Sequence, residues 1–114
     1  MIEVYGIPNC DTVKQARAWL GERGIAYTFH DYKKEGADPE RLAGWVAAVG
    51  WEAVLNRRGT TFRKLPESER EGLDPARAAS LMQAHASAIR RPIVEYPGGL
   101  LVGFDPAEWA SALS

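Results

Sequence analysis

The chain opens with the rhythm of a strand and passes within a few residues into that of a helix. Met1-Ile2-Glu3-Val4-Tyr5 alternates and carries β-formers, which predicts a strand. Val13, Ala16 and Leu20 then recur at i, i+3 and i+7, one face of a helix that starts near Asp11 or Thr12 and fades at Gly21 and Gly24. Gly6, Pro8 and Asn9 between them are turn residues. Ile25, Tyr27 and Phe29 alternate with Ala26, Thr28 and His30, a second strand signal, and the polar run from Asp31 to Asp38 reads as a loop. Strand, helix, strand in this order predicts a βαβ unit with parallel strands.

A helical middle follows. Asp38-Pro39 is an N-cap with proline at N1, and Leu42, Val46 and Val49 form the apolar stripe of a helix ending at Gly50. Trp51 to Leu55 and Pro66 to Arg70 predict short helical turns, on either side of a cationic loop from Asn56 to Lys64. Asp74-Pro75 repeats the cap signal and starts a helix reaching about His85. Pro92 to Tyr96 and Leu100 to Phe104 predict a hairpin across the three-residue turn Pro97-Gly98-Gly99. Asp105-Pro106 caps a last helix with Trp109, Ala112 and Leu113 facing inward. The order βαβ, helices, ββα predicts an α/β fold with a mixed four-stranded sheet covered by helices.

Composition narrows the function classes. A chain of 114 residues with 46% hydrophobic and 25% charged residues is of single-domain size and needs no disulfide or metal to fold. A net charge of −1 gives no global pull toward nucleic acid or an acidic membrane. There is no signal-peptide pattern at the start and no apolar run near the ~18 residues of a membrane span, so the expected location is the cytoplasm. One cysteine and two distant histidines, His30 and His85, lack metal-ligand spacing, and neither histidine pairs with the cysteine in an interpretable way. Trp19, Trp45, Trp51 and Trp109 all fall in helical stretches and read as packing residues.

The cysteine changes the picture most. Cys10 lies in a turn between Asn9 and Asp11, off any apolar stripe, where a strand hands over to a helix N-terminus. Unpaired backbone N–H groups and the helix dipole favour an anion there, and the thiolate is the nucleophilic form of cysteine. An ordinary thiol is only a few per cent ionised at neutral pH, and about 2 kcal/mol of preferential stabilisation makes it roughly half ionised. Asp11 opposes that, so a cation is needed. The candidates are Arg57, Arg58, Arg63 and Lys64 in the middle loop, and Arg90-Arg91 before the proline that opens a strand. A cis Arg91–Pro92 bond there would be a functional feature.

With these residues in view, the chain resembles the ArsC/Spx family, and within it the YffB-like branch. The likeness rests on Tyr5 to Lys14, on Gly50 to Asn56, on Arg58 to Leu65, on Arg91-Pro92-Ile93 and on Leu101 to Phe104. It implies a single thioredoxin-like domain over residues 1–114 with a helical insertion at about 38–90. It implies Cys10 as the redox cysteine, Pro92 as a cis-proline facing it, and Arg91 and Arg58 near the thiolate. Asn9 and Thr12, flanking the cysteine, join this glutathione- or anion-binding set. The implied activity is a glutathione-dependent thiol reductase, a monomer with glutathione as co-substrate, a thiol or disulfide protein as a further partner, and neither nucleic acid nor membrane. Three positions depart from relatives. Gly6 stands where arsenate reductases carry a histidine. Asn56 and Gly103 stand at or near two of their oxyanion arginines. Val13 stands where Spx regulators carry a second cysteine. The rival expectations are an Spx-like regulator touching RNA polymerase and a glutathione-coupled arsenate reductase.

Overall fold

β1 (Glu3–Gly6) is an interior strand of the sheet. In the computed structural model, which describes residues 2–113, it pairs parallel with β2 (Thr28–Asp31) and antiparallel with β3 (Ile93–Tyr96). β4 (Gly99–Val102) pairs antiparallel with β3, and the order is β2-β1-β3-β4. Met1, with which the predicted first strand begins, lies outside the described residues, as does Ser114. The chain divides into two compact units. One holds the sheet and comprises the chain up to Glu35 and again from Arg91, and the other is Gly36–Arg90.

In the sheet unit, alternation sends Val4, Phe29, Val94 and Leu101 to one face, and the strand register sets them side by side. Helix α1 (Asp11–Glu22) covers that face with Ala16, Trp19 and Leu20, and the last helix, Pro106–Leu113, adds Trp109. Trp109 is fully buried, and its ring meets Phe104 and Trp19 edge to face at 4.8 and 5.9 Å. Ala112 and Leu113 pack on the same cluster. Arg17 ties the outer side of α1 to the β2 segment, since its Nε donates to the Tyr27 hydroxyl and its guanidinium lies 4.1 Å from the Phe29 ring centre.

Three local expectations are corrected here. Ile25 and Tyr27 pack on the core as the alternation requires, but the paired strand begins only at Thr28, because β1 offers partners from Glu3 onward. The run from Asp31 is not all loop. Asp31 accepts from the backbone N–H groups of Lys33 and Lys34, while its own N–H donates to Glu35, a reciprocal cap that starts helix α2 (Tyr32–Glu35). The hairpin turn is two residues, Pro97-Gly98, because Gly99 pairs with Tyr96.

The second unit is helical: α3 (Pro39–Val49), α4 (Trp51–Val54), α5 (Thr60–Arg63), α6 (Glu67–Arg70) and α7 (Pro75–Ala84), then a 3₁₀ turn at Ala86–Ala88. Asp38 and Asp74 cap α3 and α7 by accepting from Glu40 and Arg77 backbone N–H groups, the chemistry read from the two Asp-Pro pairs. α3 packs on α4 and α7. It buries Leu42 and Trp45 and leaves Val46 half-buried and Val49 exposed, a rotation from the expected stripe driven by the larger area of the indole. Helix α8 is the last one, Pro106–Leu113. Among the described residues no helix is long and apolar enough to cross a membrane.

Candidate active site

Three chain segments end at the same edge of the sheet. Gly6, the last residue of β1, pairs with Asp31, the last of β2, so the Cys10 turn and Tyr32 leave the sheet side by side. β3 runs the other way, and its first residue Ile93 pairs with Tyr5, so Arg91 and Pro92 enter at that edge. The Arg91–Pro92 peptide bond is cis.

Cys10 is the N-cap of α1, with extended backbone (φ −136°, ψ 126°), and its carbonyl accepts the first helical bond from Lys14. Its half-buried side chain makes no cap hydrogen bond. Burial alone pushes the thiol up. The Val13 backbone N–H, the Arg91 side chain, the Thr12 backbone N–H and the Arg91 charge outweigh that and hold it below its ordinary value. The thiolate is therefore more accessible than that of an ordinary cysteine, with Arg91 as the cation that Asp11 made necessary.

Arg91 is half-buried and donates to both the Cys10 sulfur and the Tyr32 hydroxyl. Burial disfavours its charge, and these two partners more than restore it. Tyr32 is 2% exposed, and burial pushes its phenol up to about 12, so it stays protonated through the physiological range. Tyr32 was missed in the sequence, where it sits among charged residues in a stretch read as loop. The readable signal was Asp31 with Glu35, a cap pattern around an aromatic residue.

Of the expected binding residues, the structure brings Arg91 to Cys10, with Pro92 following Arg91 through the cis bond. Thr12 contributes its backbone N–H, while its side chain is exposed, as is Asn9 in the turn. Arg58 belongs to the helical unit, where it is exposed in a turn in which its N–H donates to Asn56 Oδ1. His30 is committed elsewhere: its Nε2 lies 3.0 Å from Glu3 Oε1 and its ring stacks on Tyr5. His85 caps the end of α7 in the helical unit. Among the described residues no group of three or more His, Cys, Asp or Glu could hold a metal ion.

Two of the positions expected to depart from arsenate reductases, Gly6 and Gly103, are constrained by their surroundings. A Cβ on Gly6 would stand 3.0 Å from Val13 Cγ2 and 3.4 Å from Cγ1, and Val13 is fully buried. Gly6→Ala is expected to lower stability by about 1 kcal/mol as Val13 is forced aside, seen as a lower thermal midpoint. Gly103 has φ +79°, which a side chain rarely adopts. Its N–H donates to the Pro92 carbonyl, and its own carbonyl accepts from the Trp109 indole.

Comparison with known proteins agrees with this geometry. The ArsC family model matches residues 5–112. A solved YffB protein is 53% identical over the whole of both chains, with a TM-score of 0.97. An arsenate reductase (ArsC) related protein from Brucella melitensis is 55% identical, covering 96% of this chain and 92% of its own, with a TM-score of 0.77. The global transcriptional regulator Spx of Listeria innocua is 27% identical over 110 residues, 95% of this chain and 83% of its own. The mixed sheet is that of the thioredoxin-like ArsC structures. With Cys10 at the start of α1 and a family match spanning nearly the full sequence, the chain belongs to the ArsC family.

Proposed function

We propose that this protein is a glutathione-dependent thiol–disulfide oxidoreductase that works through one cysteine. The observation that carries the reading is the Cys10 thiol, held below its ordinary value beside the Arg91 guanidinium, in a chain with no second cysteine to resolve it. The Cys10 thiolate attacks the glutathione sulfur of a mixed disulfide. A Cys10–glutathione disulfide forms and the substrate leaves as its thiolate, which takes up a proton. A second glutathione thiolate then attacks that bond, freeing Cys10 and releasing oxidised glutathione. Arg91 holds the attacking thiolate and offers two-pronged hydrogen bonding to a glutathione carboxylate once the sulfur is neutral. The Arg91–Pro92 segment presents backbone groups to the extended peptide.

Incubation with oxidised glutathione should add one glutathione per chain by mass spectrometry, and reduced glutathione should remove it. An unmodified mass after prolonged incubation at mildly alkaline pH would reject the reading. Arsenate reduction is the second reading, prompted by the name of the Brucella relative. Crowding at Gly6 and the backbone of Gly103 weigh against it. The expected result with millimolar arsenate and glutathione is no turnover.

A further inference from the structure

We propose that Tyr32 is a positioning residue for Cys10: its buried hydroxyl holds the Arg91 guanidinium in the orientation that serves the sulfur. The proposal rests on Cys10 acting as the nucleophile and is independent of which thiol compound it meets.

The fold gives Tyr32 little freedom. β2 ends in register with β1 at Gly6–Asp31, and Tyr32 is the next residue. The reciprocal cap between Asp31 and Glu35 fixes the first turn of α2 on which it stands. Glu35 is held again from the other side, with Oε1 3.8 Å from His30 Nδ1. The ring is 2% exposed, so the hydroxyl cannot swing away to water.

Arg91 needs such a partner. A guanidinium on a long side chain has several rotamers, and ordering one costs side-chain entropy. Its planar fork carries donors in fixed directions. A phenol accepting one N–H restricts the plane and leaves other donors for the sulfur. Arg91 donates to both groups, so the chain of contacts runs Tyr32 hydroxyl, Arg91, Cys10 sulfur. Burial keeps the phenol protonated, which excludes Tyr32 as a general base and leaves it as a neutral acceptor for the cation.

Tyr32→Phe keeps the ring and removes the hydroxyl. Alkylation of Cys10 by iodoacetamide is expected to slow about threefold near pH 6 and to be unchanged at about pH 10, where the thiol is ionised in both proteins. In an Arg91→Ala background the same substitution should change nothing further, because the hydroxyl acts only through the guanidinium. Tyr32→Leu, which also lacks the hydroxyl, should give the same pH profile, and circular dichroism identifies a variant that has lost its fold. A wild-type alkylation profile in folded Tyr32→Phe, or an equal slowing with Arg91 absent, would overturn the proposal. Glutathione adduct formation is not part of this readout, so it can fail while the proposed reaction stands, and the reverse.

Discussion

Arg91→Ala is expected to slow alkylation of Cys10 about tenfold near pH 6 and its reaction with oxidised glutathione about a hundredfold. Two losses separate these figures. The first is electrostatic: among the described residues the guanidinium is the side-chain partner that holds the Cys10 thiol below its ordinary value, and without it the two backbone N–H groups must work against burial alone. The second is the carboxylate partner that the proposed glutathione complex needs, which iodoacetamide does not use. Arg91→Lys keeps the charge but not the fork, so it should recover more of the alkylation than of the glutathione reaction. Stability follows the same linkage. The folded thiol is held below its unfolded value, so the thiolate contributes stability that is present above the ordinary thiol range and lost as pH falls through the folded value. The stability of the wild type over Cys10→Ser, measured by urea unfolding, should therefore grow as pH rises through this window. In Arg91→Ala the growth should shrink. Equal alkylation by Arg91→Ala and wild type across pH would remove Arg91 from the site.

What was readable in the sequence was what local chemistry decides. Asp-Pro pairs announce α3 and α7 because cap and proline act within one turn. Cys10 was legible as a helix start because turn residues precede it and the periodic stripe follows. Arg91 stood out because it precedes a proline at the mouth of a strand. Features set by distant partners were harder to read. The alternation over Ile25, Tyr27 and Phe29 correctly marks the core side, but pairing begins at Thr28 because strand length is settled by the neighbour. On α3 the pattern gave the helix and its buried Leu42 but not the rest of the stripe, since Val46 and Val49 compete with Trp45 and only tertiary packing decides between them. Tyr32 lay outside every pattern, for a tyrosine between Asp31 and Lys33 reads as a solvated loop until the sheet edge brings it to Arg91. The structural role of Gly103 was similarly hidden: a left-handed backbone with partners on both sides depends on where Pro92 and Trp109 fall.

That last arrangement makes Trp109 the residue whose truncation should cost most. Trp109→Ala is expected to lower stability by about 3–5 kcal/mol, a large share of the roughly 5–15 kcal/mol available to such a domain. The indole is fully buried between Trp19 and Phe104, so its loss leaves a cavity that two edge-on rings cannot fill without moving. Trp109→Phe separates packing from hydrogen bonding. It keeps most of the ring and removes the Nε1 donor, which lies 3.1 Å from the Gly103 carbonyl. Leaving that carbonyl without the indole should cost about 1–3 kcal/mol. The Gly103 N–H donates to the Pro92 carbonyl at 2.8 Å, so the indole bond anchors the backbone that supports Arg91-Pro92. Chemical denaturation of the two variants measures the stability losses. Cys10 alkylation in folded Trp109→Phe asks whether the anchor reaches the site. A reduction in rate near pH 6, with the rate at about pH 10 preserved, is the expected result. Unchanged alkylation would confine Trp109 to the core and leave Tyr32 as the main support for the guanidinium.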